Sequence, residues 1–234
     1  MLPLVTKNLG FKVNGAILIN DLSMTLDADG VSVVMGPNGA GKSVLLRLLH
    51  GLMEPTSGTI RWAGQAPDEW LRRRQAMMFQ RPILLRRSVR ANMDFALRQR
   101  ARGNQREKID ALLGHVGLKD LAERPARRLS GGEQQRLALA RALALEPEVL
   151  FMDEPAASLD PASTVTIETV VRELKESGTK VVFVTHDVAQ ARRIADDIVF
   201  LHRGRLLEQS DAVTFFEQPS SSEARQYLDG KIII

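Results

Sequence analysis

Eight consecutive residues, Gly36, Pro37, Asn38, Gly39, Ala40, Gly41, Lys42 and Ser43, constrain this chain more than any other stretch. They follow the apolar run Val31, Ser32, Val33, Val34, Met35, which has strand character. They precede Val44, Leu45, Leu46, Arg47, Leu48 and Leu49, which read as a helix. Strand, glycine-rich turn and helix together form the context of a phosphate-binding loop. The glycines let successive backbone N–H groups turn inward around phosphate oxygens, where a Cβ would obstruct the approach. Lys42 supplies a mobile positive charge, Ser43 a hydroxyl for Mg²⁺, and the helix N-terminus favours the anion further. A glycine-rich surface turn is the plainer alternative, but every motif position is filled and both flanks are right.

The rest of the chain must accommodate that loop. Its 234 residues fit one large domain, or a core with a smaller subdomain inserted. No run of eighteen apolar residues occurs, and the opening Met1, Leu2, Pro3, Leu4 lacks the form of a signal peptide. The absence of cysteine excludes disulfides and thiolate metal sites, in agreement with a cytosolic location. A net charge of +4 is mild, and with one Tyr and two Trp the basic residues do not alternate with aromatics. Nucleic acid is therefore not expected as a partner.

Asn14-Gly15 between apolar segments predicts a hairpin, with a further strand over Leu22, Ser23, Met24, Thr25, Leu26. This opening reads as an antiparallel layer beside the nucleotide-binding core. Thr59 to Trp62 reads as a strand, and Leu71 to Arg74 as a basic helix end or loop. Residues from about 83 to 145 read mainly as helices broken at Gly103, Gly117 and Pro125, a helical subdomain inserted in an α/β core. Further on, strands are expected at 149–152, 180–185 and 198–201, and helices at 162–176 and 188–195.

Two further motifs surround the loop. Val149, Leu150, Phe151 and Met152 bury a strand from whose carboxyl end Asp153 and Glu154 emerge, where open α/β sheets bind ligands. Asp153 is placed to hold Mg²⁺ through its water shell and Glu154 to polarise an attacking water. Leu129, Ser130, Gly131, Gly132, Glu133, Gln134, Gln135 and Arg136 open a helix whose free N–H groups form a second anion-seeking terminus.

With these residues in place, the sequence resembles the ATP-binding subunit of an ATP-binding cassette (ABC) transporter over essentially its full length, residues 1–234. The resemblance implies an α/β P-loop ATPase core with an antiparallel β layer and an inserted helical subdomain. ATP and Mg²⁺ are the implied cofactors. It also implies a head-to-tail homodimer in which Ser130, Gly131 and Gly132 of one subunit close over ATP held by Lys42 of the other. Gln80 matches the family's glutamine loop, which senses Mg²⁺ and the γ-phosphate. Ser158, Leu159 and Asp160 match the loop at the dimer interface, and His186 matches the switch histidine. Read alone, each is an ordinary polar loop residue, cap or strand-end histidine. Family members place an aromatic residue near the first hairpin to stack on adenine; here Val13 occupies that place.

The implied partners are an integral membrane permease and a periplasmic or extracellular substrate-binding protein, with the chain at the cytoplasmic face of the membrane. Residues 79–93 are similar to those of bacterial tungstate importer ATPases, with related oxyanion systems, including molybdate and phosphate importers, as close runners-up. Ile83, Leu84 and Leu85 offer an apolar ridge for the permease. An ATPase of export, lipid handling or cell division is the alternative, and a soluble nucleic-acid machine a more distant one.

Overall fold

The computed structural model describes residues 1–27, 30–98, 105–157 and 159–231. Gly103 and Ser158, both singled out in the sequence, lie outside them. Strands β1 (Leu4–Val13) and β2 (Ala16–Leu26) form the expected hairpin. Its turn has positive φ at both Asn14 (48°) and Gly15 (82°), the backbone that a two-residue hairpin loop of this twist requires. The second strand predicted over 22–26 proves to be the continuation of β2. Asn8 (φ 49°) and Asp21 (φ 53°) absorb the irregularity on the two strands, and Asn8 Nδ2 donates to Asp21 Oδ1 at 2.8 Å. Pairing therefore resumes beyond the bulge rather than ending there.

The chain continues through β3 (Val31–Met35), α1 (Lys42–His50), β4 (Ser57–Trp62), α2 (Glu69–Arg73) and β5 (Gln75–Met78). Next come α3 (Val89–Leu97), α4 (Arg106–His115), α5 (Gly131–Leu143), β6 (Val149–Asp153), α6 (Pro161–Glu176), β7 (Lys180–Val184) and α7 (Val188–Ile194). The last elements are β8 (Asp197–His202), β9 (Arg205–Asp211), α8 (Ala212–Glu217) and α9 (Ser222–Leu228). Strands β2-β1-β4 make an antiparallel sheet; β5-β6-β7-β3-β8-β9 make a six-stranded sheet that is parallel except for β9. This mixed sheet with helical elements beside it, joined by an antiparallel layer, is the α/β architecture that the resemblance implies.

The period of two along β3 divides the core. Val31, Val33 and Met35 face one apolar cluster with α3, α5, α6 and α7, while Val34 faces the other. That second cluster holds Leu45, Leu46, Leu48 and Leu49 of α1 between the two sheets. Each such leucine, fully withdrawn from water, contributes about 1.5–3 kcal/mol, so α1 and the loop before it are fixed by packing. Residues 79–88, between β5 and α3, are not helical. Asn92 holds this loop, accepting from Leu85 N at 2.9 Å and donating to Leu85 O and Ser88 O.

Candidate active site

The carboxyl ends of β3, β6 and β7 open into a cavity of about 560 Å³, lined by residues 38–44 together with Leu18, Gln80, Glu154, Ala157 and His186. A larger groove of about 730 Å³ between β2 and β9 contains none of these groups. Gly36 has φ 140°, and a Cβ there would collide with the Leu201 carbonyl, so only glycine permits the loop to pass β8 this closely. Lys42 folds back into the loop, where its Nζ donates to Gly36 O at 2.8 Å and Pro37 O at 3.1 Å. Burial holds the Lys42 ammonium pKa below the usual lysine value, although the nearby Glu154 and Asp153 carboxylates pull it back up.

Ser43 Oγ donates to Asp153 Oδ1 at 2.8 Å, joining the start of α1 to the end of β6. Burial pushes the Asp153 carboxyl pKa up, against the Ser43 hydrogen bond and the charge of Arg47. A hydroxyl and a carboxylate side by side, with the Gln80 amide on the same cavity, form a sparse set of hard oxygen donors. That set suits Mg²⁺, which takes few protein ligands and completes its shell with water and phosphate oxygens. One residue beyond, Glu154 has φ 46°, and its N–H donates to Val184 O at 3.1 Å. Its Oε2 accepts from Gln80 Nε2 at 3.2 Å and lies 3.3 Å from His186 Nδ1. The structure thus brings together Lys42, Ser43, Gln80, Asp153, Glu154 and His186, which are scattered over 145 positions of sequence.

Other predicted residues lie elsewhere. Ser130 caps α5: its Oγ accepts from Glu133 N at 3.3 Å, and Glu133 Oε2 accepts from Ser130 N at 2.6 Å. Asp160 caps α6, accepting from Ser163 N at 2.9 Å and Ser163 Oγ at 2.7 Å. Gly132 packs against this cap, where a Cβ would strike Ser163 Oγ and reach 3.0 Å from Asp160 Oδ2. Neither Ser130, Gly131, Gly132 nor Asp160 lines the cavity of its own chain. Val13, 42% exposed at the end of β1, is also outside that lining, whereas Leu18 of β2 is part of it.

A family model described as ABC transporter matches residues 19–157. The chain belongs to the ABC transporter family. Among ABC relatives, the phosphate import ATP-binding protein PstB 1 of Vibrio parahaemolyticus is 39% identical over 96% of this chain and 89% of its own length. The tungstate uptake system ATP-binding protein TupC of Peptoclostridium acidaminophilum is 36% identical over 88% of this chain and 98% of its own. A solved ABC structure, a dimeric cassette in a post-hydrolysis state bound to ADP and Pi, matches with TM-score 0.81 and 27% identity over 89% of this chain and 98% of that one. The chain is accordingly an ATP-binding, ATP-hydrolysing ABC transporter subunit.

Three contacts of this ABC subunit escaped the sequence. Gln135 Nε2 of α5 donates to Gln80 O at 2.6 Å, tying the helix that Ser130 starts to the loop that reaches Glu154. Arg141 of the same helix donates to Ile83 O at 2.7 Å. Tyr227 Oη of α9 donates to His186 O at 3.1 Å. No residue next to any of the three donors in the chain signals its partner. The expected apolar ridge is also narrower than predicted: Ile83 is 74% exposed, but Leu84 turns inward and packs against the core.

Proposed function

We propose that this chain, as one nucleotide-binding domain with a helical subdomain at about 83–145, is the ATPase motor of an oxyanion importer. The observation that carries the catalytic part is the meeting of Gln80 and His186 on one oxygen of Glu154, beside Lys42 and the Ser43–Asp153 pair. In this reading the N–H groups of residues 38–43 and Lys42 bind the β- and γ-phosphates, Lys42 exchanging its bonds to Gly36 O and Pro37 O for phosphate oxygens. Ser43, Gln80 and Asp153 are the residues that would hold Mg²⁺, Asp153 through water; the ion neutralises charge on the phosphates. Glu154 takes the proton of the attacking water, and His186 orients Glu154 and hydrogen-bonds the γ-phosphate. Ser130, Gly131 and Gly132 close the site from the second subunit of a head-to-tail dimer, with Asp160 near the crossing; their distance from the cavity of their own chain is what this arrangement predicts. Val13, at the end of β1, is the position proposed to face adenine.

The permease is proposed to dock where Ile83 and the 44%-exposed Phe95 flank an apolar groove of about 270 Å³ that also includes Met77, Phe79 and Pro82. Docking there would keep the subunit at the cytoplasmic face of the membrane. Tungstate is the cargo we assign, from the similarity of residues 79–93 and the tungstate-uptake relative that this chain matches over nearly all of that protein's length. Phosphate is the second reading, favoured by the 39% identity to a phosphate-import protein. The substrate-binding protein that serves this motor decides between them. Calorimetry is expected to show tungstate binding more tightly than sulfate or phosphate; tight phosphate binding with none for tungstate transfers the assignment to phosphate.

A further inference from the structure

The chain contains a single tyrosine, Tyr227, and the C-terminal elements are built to hold it in place. Glu208 of β9, 7% exposed, accepts from Ser220 N at 3.0 Å and from Ser221 N at 3.1 Å, and so fixes the entry to α9. Ser221 then caps that helix, its Oγ accepting from Ala224 N at 3.1 Å. One and a half turns on, the Tyr227 ring packs on Phe200 of β8 with centroids 5.4 Å apart, and Phe200 packs in turn on Phe215 of α8 at 5.7 Å. The phenol emerges beside the active site. Its hydroxyl donates to the His186 carbonyl at 3.1 Å. Burial raises the phenol pKa to about 12, so the group remains an O–H donor throughout the neutral range.

One hydroxyl therefore ties α9 to the residue whose imidazole reaches Glu154. His186 needs such support. Its side chain is 55% exposed, and it stands in a short connection between β7 and α7. A carbonyl fixed from behind limits how far the imidazole can swing from the phosphate loop.

We propose that Tyr227 is a positioning residue for His186: by holding the His186 backbone carbonyl, α9 sets how well the imidazole meets the terminal phosphate of the nucleotide. The inference rests on the reading of His186 as the γ-phosphate partner. It makes α9, none of whose residues lines the cavity, a determinant of γ-phosphate recognition.

The test is Tyr227→Phe, which keeps the ring on Phe200 and removes only the hydroxyl. Affinities for ADP and for a non-hydrolysable ATP analogue are measured by calorimetry in the wild type, Tyr227→Phe, His186→Ala and the double variant. Turnover is measured alongside. Loss of one such hydrogen bond is expected to lower the analogue-to-ADP affinity ratio and kcat by about 3–10-fold, with ADP affinity unchanged. His186→Ala should lower the same ratio, and the double variant no further than His186→Ala alone. An unchanged ratio and kcat in Tyr227→Phe overturn the inference. So does an equal loss of analogue and ADP affinity, which is what a merely structural role predicts, and so does an additive double variant. A wild-type ratio and wild-type turnover in His186→Ala would remove the role of His186 itself, a failure read from that single variant whatever Tyr227→Phe does.

Discussion

Replacing Glu154 by glutamine separates binding from chemistry at this site. The amide preserves the volume of the side chain, so the position beside Gln80 and His186 stays filled. Its two ends now differ, however. The carbonyl oxygen, turned to where Oε2 stands, can still accept from both donors that converge there at 3.2 and 3.3 Å, while the amide nitrogen can accept from neither. Exchanging a charged for a neutral acceptor weakens each contact from about 1.5–3 to about 0.5–1.5 kcal/mol in the resting site. Loss of the general base costs more, typically ~10²–10⁴-fold in rate, or about 2.7–5.5 kcal/mol of barrier. The electrostatic change runs the other way for binding. Glu154 and Asp153 are the carboxylates acting on Lys42, and neutralising one leaves less negative charge facing an incoming triphosphate. Glu154→Gln is therefore expected to bind ATP at least as tightly as the wild type, to lose most phosphate release, and to show a longer-lived dimer on gel filtration with ATP. Hydrolysis at the wild-type rate refutes the assignment of the base. A parallel collapse of ATP affinity refutes it differently, by showing that Glu154 holds the site together rather than acting in it.

Tryptophan at Val13 is expected to tighten ATP binding by about 1 kcal/mol through stacking; an equal gain for a triphosphate of ribose without a base would show that the position does not face adenine. If each ATP site is shared between two subunits, a heterodimer of Lys42→Ala with Ser130→Arg retains one intact site and should recover ATP-dependent association. A control with both substitutions in one subunit should not, and equal behaviour of the two preparations would rule out sharing. At the end of α1, burial, aided by the charge of Arg72, lowers the His50 pKa to about 4. Because the folded value lies below the unfolded one, near 6.5, the stability that neutral His50 contributes is complete above about pH 6.5 and is lost as pH falls toward 4, by at most about 3 kcal/mol. His50→Phe should flatten that part of the denaturation profile measured from pH 7 to pH 4.5; parallel profiles for the two proteins would remove His50 as the cause.

The parts of this protein that could be read from sequence are those whose physics is local. Asn14-Gly15 announces its hairpin, and residues 36–43 announce their loop, because backbone conformation and ligand chemistry are written into neighbouring residues. The strand after the hairpin was divided wrongly, since the Asn8–Asp21 contact that carries pairing past the bulge joins positions thirteen apart. Lys180 sits in what reads as an apolar strand, yet is 2% exposed with Nζ 3.7 Å from Asp197 Oδ2, a partner supplied by a different strand. Helices α8 and α9 were not anticipated at all. Their short periods carry little signal, and what fixes them is burial of Phe215 and the Glu208 carboxylate. Likewise Gln135 and Tyr227 reach the site over 55 and 41 positions, and nothing adjacent to them in the chain records what they touch.

The backbone at Glu154, at φ 46°, has a consequence for anyone improving this protein. A side chain in the left-handed region costs about 1–2 kcal/mol that glycine does not incur. The local conformation thus opposes the very residue proposed as the base, and on that proposal Glu154→Gly would relieve strain while removing the base. A library sorted only for heat tolerance would gather inactive proteins at this position and rank them above the parent. Thermal robustness and turnover have to be scored together here, because at residue 154 they pull in opposite directions.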